Sequence, residues 1–312
     1  MKKICVEKPI KSQLNTIENL HDKANSDFHF EKLTAAFLSQ KIWPSDSIIT
    51  ISFVTNQQNK AQWTPIRELE NIRPTPKLDS LEKQVRELSH IDAIKKVVDE
   101  RIQPIVGITF QYVQTNGMVR IGFDSTTGSW SLVGTDCLES NEETTMNFGW
   151  LDVGTIIHEF GHMLGMIHEH QNPKNSDIQW DEDKVFRWAR ETQGWDDSTT
   201  LHNIIERYEI EQLNASDFDK DSIMLYFFPG SLTLNGVGTN ANYILSKGDI
   251  EYLSEIYPGG EIPAKTFIKE NITDNKKNTG MIIFISFVII AFIVGAIYII
   301  KDKNTIPKFV SI

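Results

Sequence analysis

The chain is poor in cysteine and in basic residues. Its 312 residues include only Cys5 and Cys137, so a disulfide scaffold of the kind that holds small secreted domains together is excluded, although a single bridge between these two remains open. The 31 Lys and Arg are outnumbered by 42 Asp and Glu, which gives a formal net charge of −11. Because such a chain repels phosphate groups, the sequence predicts no nucleic-acid partner.

Targeting signals and repeats are also scarce. Residues 1–12 begin with Lys2 and Lys3, but no apolar run of seven or more residues follows, so an ordinary secretory signal peptide is not predicted. No internal repeat or low-complexity tract is evident. The remaining length suits one enzyme domain with its own core, preceded by residues 1–42 as an N-terminal extension or a short pro-segment.

One long hydrophobic run is present near the C-terminus. Residues 281–300 read MIIFISFVIIAFIVGAIYII and carry no formal charge. A helix of this length rises about 30 Å, which matches the hydrocarbon core of a bilayer. A buried core helix is the alternative, but such a helix rarely lacks a polar stripe over this length. The pattern predicts a single transmembrane helix in contact with membrane lipid, with 259–280 as a stalk and 301–312 as a short tail.

The charges that flank the hydrophobic run do not determine on which side of the membrane the enzyme domain lies. Lysines occur at 265, 269, 276 and 277 before the run and at 301, 303 and 308 after it. The positive-inside rule is therefore nearly balanced. A C-terminal anchor without a signal peptide favours a cytosolic enzyme domain, whereas the glycosylation sequons at Asn214 and Asn271 would matter only on the lumenal side.

Three of the eight histidines lie in residues 158–168, which read H-E-F-G-H-M-L-G-M-I-H. His158 and His162 are four residues apart, so on a helix they share one face, about 6 Å apart along the axis. A catalytic zinc takes three protein ligands and keeps a position for water, so a third ligand is needed. Gly165 can adopt the positive φ that ends a helix, and His168 can then return to the metal.

The residues around this motif have separate roles. Glu159 need not bind the metal, because its carboxylate can accept a proton from zinc-bound water as the water attacks a carbonyl, and then pass the proton to the leaving amine. An HExxH pattern alone also occurs by chance on amphipathic helices, but here five positions agree. His170 competes with His168 for the third ligand position. The spacing selects His168 and leaves His170 beside the site or in solvent. The sequence therefore predicts one catalytic Zn²⁺.

The motif resembles that of the metzincin zinc metallopeptidases. A second mark of that clan, a turn containing methionine, is matched about sixty residues later by 221–226, which read D-S-I-M-L-Y. Glu169 directly after the third histidine, taken with this turn, is most similar to the astacin branch. The resemblance covers about 43–258. It implies an α+β fold with a mixed twisted sheet and long helices in an N-terminal lobe, and a smaller, largely irregular C-terminal lobe.

The resemblance also implies further site residues. Met224 would form an apolar floor under the ligands, and Tyr226 would approach the metal and hydrogen-bond the developing oxyanion, a role for which the reaction needs a donor. The alternative is that both are core residues at the end of a buried strand. One departure is that secreted astacins carry disulfides in the catalytic domain, whereas 43–258 contains only Cys137.

The implied activity is that of a membrane-anchored endopeptidase acting on a protein or peptide substrate. The main alternative is a zinc-folded but inactive binding domain displayed on a membrane. The intact Glu159 argues against it, because a scaffold has no need of the base. A third hypothesis, a zinc hydrolase of non-peptide substrates, has little support. By resemblance, Cys5 or Asp27 could block the zinc if residues 1–42 are an inhibitory pro-segment.

Periodicity gives a coarse secondary structure. It predicts strands over 48–54, 108–113 and 118–123, a hairpin-like turn at 115–117, and one long helix over 78–103. A fourth sheet segment, 146–148, precedes the active-site helix over 153–164, and a further helix, capped by Asp181, covers 181–192. By resemblance, 119–123 is the edge strand that holds an extended substrate by strand addition, and an internal strand is the alternative.

Overall fold

A computed structural model of the chain describes residues 6–7, 39–55, 60–72, 80–174, 177–208 and 217–261. The chain divides into two compact units, Met1–Ala264 and Lys265–Ile312. The second unit lies outside the described residues, and so does the predicted transmembrane helix at 281–300. Within the described ranges, no helix combines the length and the hydropathy needed to cross a bilayer.

The secondary structure mixes short strands with helices. The strands are β1 (Val6–Glu7), β2 (Ile48–Phe53), β3 (Gln62–Trp63), β4 (Thr109–Tyr112), β5 (Val119–Gly122), β6 (Trp130–Ser131), β7 (Met146–Asn147) and β8 (Trp150–Leu151). The helices are α1 (Ile66–Ile72), α2 (Ser80–Val85), α3 (His90–Arg101), α4 (Asp136–Glu139), α5 (Val153–Met163), α6 (Glu182–Thr192), α7 (Asp197–Thr200) and α8 (Lys247–Ile256). This is the α+β class that the sequence predicted.

A six-stranded mixed sheet, in the order β1-β6-β7-β5-β2-β4, forms the frame of the N-terminal part. Strand β6 is antiparallel to β7, and the other neighbours are parallel. The alternation of β2 buries Ile49 and Ile51 completely. Helix α3 packs on α5, and Phe110 of β4 meets Phe160 of α5 edge to face, with 6.1 Å between ring centroids. The sheet and α3 thereby fix the position of α5.

The predicted helix over 78–103 is wrong as a single element. The structure has two helices, α2 and α3, separated at residues 86–89. The break occurs because Ser89 has extended backbone angles and its Oγ accepts a hydrogen bond from the Asp92 N–H at 3.2 Å, which makes it the N-cap of α3. Apolar periodicity continued across the break and concealed it.

The predicted hairpin at 115–117 is also wrong. Strands β4 and β5 do not pair, because β2 lies between them and is parallel to both. The connection crosses over β2 near Ser52, where Gly117 donates its N–H to Ser52 Oγ at 3.0 Å. A Cβ at position 117 would lie 2.5 Å from the Ser52 nitrogen, so this crossing requires glycine.

The segment 119–123 is an internal strand rather than the substrate-binding edge. Strand β5 has β2 on one side and β7 on the other, so its main-chain groups are already paired. Strand β6, which begins eight residues after the end of β5, lies towards the sheet edge and pairs in parallel with β1 from the N-terminal extension. Whether that extension is an inhibitory pro-segment stays a prediction, and Cys5 and Asp27 lie outside the described residues. Cys137 is a buried free thiol.

The C-terminal end of α5 is closed by donors from distant parts of the chain. The carbonyl of His162 accepts from the Gly134 N–H at 2.9 Å, that of Met163 from the Trp43 indole N–H at 2.8 Å, and that of Leu164 from the Tyr257 hydroxyl at 2.7 Å. These bonds satisfy carbonyls that a helix end leaves without intrahelical partners. Beyond this point the chain is largely irregular, apart from α6, α7 and α8, as the sequence predicted for a smaller lobe.

Candidate active site

Helix α5 carries the first part of the site. Asp152 caps it by accepting the Thr155 N–H at 2.7 Å, and the N–H of Val153 donates to Glu82 Oε2 at 2.7 Å. The helix spans Val153–Met163, close to the predicted 153–164. His158, Glu159 and His162 are at most 5% exposed. Capping at the start and packing along the helix therefore hold all three side chains in fixed positions.

The elbow after α5 turns the chain back towards the helix. Gly165 has φ of 95°, in the left-handed region. Its N–H donates to the His162 carbonyl at 2.8 Å, and the Met166 N–H donates to the Gly161 carbonyl at 2.9 Å. This pair of bonds is a Schellman motif, for which glycine is the favoured residue. The motif directs His168 to the same side of the helix as His158 and His162.

The three predicted ligands form one cluster. Ligand nitrogens of His158, His162 and His168 all lie within 4.8 Å of one another. The Nε2 atoms of His162 and His168 are 3.0 Å apart. The Nδ1 atom of His158 is 2.9 Å from the Ile223 carbonyl oxygen, and Nδ1 of His162 is 2.9 Å from the Met166 carbonyl oxygen. Since a carbonyl only accepts, Nδ1 carries the proton in both residues and Nε2 presents a lone pair.

The cluster has the chemistry that zinc requires. Burial holds the pKa values of His162 and His168 well below the ordinary value of 6.5, so both imidazoles are neutral near pH 7. Neutral imidazole is a zinc ligand, and a second hydrogen bond from its other nitrogen orients the ring. The ligand nitrogens of the three histidines all lie within 4.8 Å of one another, so a single ion can contact all three. The three histidines therefore fit a Zn²⁺ ion.

The two predicted catalytic residues lie at this cluster. Glu159 follows the first histidine on α5 and is fully buried. The Tyr226 hydroxyl hydrogen-bonds His168 Nε2. Its ring centroid is 4.2 Å from that of His168 and 5.4 Å from that of His158. Glu159 thus lies on α5 next to the first ligand in the sequence, and the Tyr226 hydroxyl contacts the third ligand, although the two residues are 67 positions apart in the numbering.

Met224 lies beneath α5. A Cβ on Gly161 would come within 2.7 Å of the Met224 sulfur, so the glycine between the two helical histidines lets the methionine approach. The turn that carries Met224 is held by Asp249 of α8. Its carboxylate accepts from Ser222 Oγ at 2.7 Å and from the Ile223 N–H at 2.8 Å. The same turn supplies the Ile223 carbonyl, which orients the His158 ring.

Glu169 supports the segment of the third ligand. It is fully buried, and its Oε1 accepts from the Asn172 amide and from the Asp219 N–H, both at 2.9 Å. Burial raises its pKa to about 8. The Glu169 carboxyl group thereby ties the chain after His168 to the chain that leads into the methionine turn.

His170 is placed beside the cluster. Its Nε2 lies 2.9 Å from the Asn203 carbonyl oxygen, and its ring stacks on His168 with 5.4 Å between centroids. Burial lowers its pKa to about 3. The three-histidine group within the described ranges uses His168 and excludes His170, as the spacing of the motif predicted. His170 is buried against aromatic rings, so the option that it lies in solvent is wrong.

Two supporting carboxylates were not predicted from the sequence. Asp249 is the third residue of α8 and forms a capping box with Ser246, a pattern visible in the sequence, but nothing local shows that it also reaches residues 222 and 223. Glu82 lies on α2, and its contact with Val153 spans 71 positions. Sequence spacing carries no signal for such a contact.

The site has three buried histidines joined by a Schellman turn, a glutamate directly after the first of them, and a methionine packed against the helix that carries two of them. This combination defines a metzincin-type zinc metallopeptidase. The comparisons agree with this class. Residues 81–230 match the family model described as Astacin, a peptidase family.

Individual relatives point the same way. The chain is 30% identical over 107 residues to "Astacin-like metalloprotease toxin 4" of Loxosceles laeta, covering 33% of this chain and 85% of the toxin. It is 29% identical over 97 residues to "Astacin-like metalloprotease toxin 5" of Loxosceles gaucho, covering 31% of this chain and less than half, 47%, of that toxin. Among solved structures, myroilysin is 31% identical, with a TM-score of 0.54 over 72% of this chain and 98% of that chain. The chain belongs to the astacin family of zinc metallopeptidases.

Proposed function

We propose that the protein is a zinc-dependent endopeptidase that hydrolyses a protein or peptide substrate, with 43–258 as its catalytic domain. The observation that carries this proposal is the cluster of three buried histidines with Glu159 and Tyr226 beside it. The inactive binding domain, considered as an alternative, has no support from the relatives or from the intact glutamate.

The residues of the site divide the chemistry between them. Bound at the three histidines, zinc would act as a Lewis acid and lower the pKa of water. Glu159 accepts the proton of the attacking water and transfers it to the leaving amine, which must be protonated before it departs. The Tyr226 hydroxyl donates a hydrogen bond to the oxygen on which negative charge develops. The Ile223 and Met166 carbonyls keep the rings of His158 and His162 in their orientations.

Zinc removal tests this function. Full-length protein in detergent is expected to contain one zinc per chain and to degrade casein. A chelator such as 1,10-phenanthroline is expected to abolish degradation, and added Zn²⁺ is expected to restore it, because the reaction needs the ion. Metal content by atomic emission and casein cleavage are measured on the same samples. One zinc per chain with no cleavage of casein or of a mixed peptide library would contradict the proposal.

We also propose that residues 281–300 anchor the enzyme in a membrane. Twenty residues without a charge at this position support the proposal. The full-length protein is expected to stay with membrane vesicles after alkaline carbonate washing, and a chain ending at residue 264 is expected to be released. Added protease with and without detergent then reports the side on which the catalytic domain lies. Release of the full-length protein by carbonate would contradict the anchor.

A further inference from the structure

A cavity of about 450 Å³ opens beside His158 and Tyr226. Its walls are mostly apolar and aromatic. They include Trp63, Leu69, Trp150, Trp188, Leu225 and Tyr243. The carboxylates of Glu68 and Asp152 also line it, whereas no Lys or Arg is found among the described residues of the lining. An apolar and aromatic lining suits an apolar or aromatic side chain, and two carboxylates disfavour an acidic one.

The outer wall of the cavity, formed by β3 and the residues after it, is tied to the start of α5 by a closed set of polar contacts. We call this set the polar ring, and it consists of Thr64, Glu82, Arg86, Asp152 and Val153. Arg86 donates to Glu82 Oε1 through Nε at 2.7 Å and to the Thr64 carbonyl through Nη2 at 2.7 Å. Thr64 Oγ1 donates to Asp152 Oδ2 at 2.7 Å. The Val153 N–H donates to Glu82 Oε2 at 2.7 Å and closes the ring.

Arg86 holds this wall in a second way. Its guanidinium lies over the Trp63 ring, 5.2 Å from the ring centroid. Its side chain is only 14% exposed, and that of Glu82 only 6%, so the ion pair is screened by little water. Apart from the polar ring, the wall is held to the helix start by the short β3–β8 pairing and by the Thr64 N–H bond to the Leu151 carbonyl at 2.8 Å.

We infer that the cavity takes one bulky apolar or aromatic side chain of the substrate next to the cleaved bond, and that Arg86 is a positioning residue that holds the cavity wall. The inference rests on the proposed peptidase function. Because Arg86 is absent from the lining and acts through Thr64 and Trp63, its loss widens the cavity without removing a group that touches the substrate. Selectivity among substrates, rather than the chemistry itself, is the property that depends on it.

Matched peptides test the cavity. Fluorogenic peptides that differ only in Phe, Ala or Glu are prepared for each of the two positions that flank the cleaved bond. With the zinc-loaded full-length protein, kcat/KM at one of these positions is expected to be about tenfold or more higher for Phe than for Ala, and lowest for Glu. Glu68→Lys is expected to raise kcat/KM for the Glu peptide relative to the Ala peptide, since it replaces a carboxylate of the lining by a cation.

Variants of the polar ring test the positioning role. Arg86→Met keeps an unbranched side chain but loses the hydrogen bonds. The ratio of kcat/KM for the Phe peptide to kcat/KM for the Ala peptide is expected to fall by about tenfold, mainly because KM for the Phe peptide rises. Arg86→Lys should recover part of the ratio, because its ammonium still reaches Glu82. Arg67→Met, at an exposed arginine of α1, is the control and should keep the wild-type ratio. If Arg86→Met does not fold, Thr64→Val removes one contact of the ring and should lower the ratio in the same direction.

The outcomes distinguish failure of the proposed function from failure of the cavity inference. Failure to cleave any peptide or casein refutes the proposed function itself. Cleavage of the Phe, Ala and Glu peptides at equal rates at both positions leaves the peptidase function intact and refutes the cavity inference. A general structural role for Arg86 would lower kcat/KM for all peptides in parallel together with the melting temperature, and an unchanged ratio in both Arg86→Met and Thr64→Val would refute the positioning role.

Discussion

Replacing Glu159 with Gln is expected to lower kcat/KM for peptide hydrolysis by about 10³-fold while the protein still binds one zinc ion. The amide has nearly the same shape as the carboxylate but cannot accept the proton of the attacking water. The three histidines are unchanged, so the metal site should be intact.

The measurement combines steady-state kinetics with zinc analysis of the same preparation. Glu182→Gln is a matched control, because it makes the same change at an exposed position in the first turn of α6. Its kcat/KM should equal that of the wild type. A Glu159→Gln protein that holds zinc and cleaves at the wild-type rate would show that another group acts as the base.

Replacing Asp249 with Ala is expected to lower the free energy of unfolding by about 3–5 kcal/mol. The substitution leaves three buried donors without their acceptor, namely Ser222 Oγ, the Ile223 N–H and the Ser246 N–H. Since the Ile223 carbonyl orients His158, zinc affinity should fall as well. Urea denaturation of the zinc-free protein and a competitive zinc titration measure the two effects separately.

Asp249→Asn is the matched variant, and its effect depends on pH. Burial raises the pKa of Asp249 from 3.8 to about 6 in the folded protein. A raised pKa means that the stabilising contribution of this carboxyl is fully present below pH 3.8 and is lost as the pH rises through about 6. Asparagine does not titrate, so the stability of Asp249→Asn relative to the wild type should improve between pH 4 and pH 7. A difference that stays constant over this range would contradict the raised pKa.

The sequence predicted the site more fully than the fold around it. The ligands, Glu159 and the Gly165 elbow lie within eleven consecutive residues, so helix geometry and one glycine turn bring them together. Met224 and Tyr226 required a family resemblance, because their contacts with α5 are long-range. Glu82 and Asp249 could not be found, since a buried carboxylate that caps a distant helix or turn has no local spacing rule.

The errors in the predicted fold have related causes. Apolar periodicity predicted the core faces of α2 and α3. It did not reveal the N-cap at Ser89, where α3 begins as a separate helix. The turn at 115–117 contains ordinary turn residues, yet the strand that separates β4 from β5 comes from 48–53, far earlier in the chain. Strand order depends on such insertions, and local turn chemistry does not encode them.

The closure of α5 by Trp43 and Tyr257 has a consequence for synthesis on the ribosome. The carbonyls of Met163 and Leu164 receive their donors from residues that are translated first and last within the catalytic domain. A nascent chain that has just exposed its three histidines therefore still lacks the Tyr257 hydroxyl and the Asp249 carboxylate. Because a domain folds as a unit, we expect it to become protease-resistant only after residue 257 has left the exit tunnel, so that an active peptidase cannot form on a partly made chain.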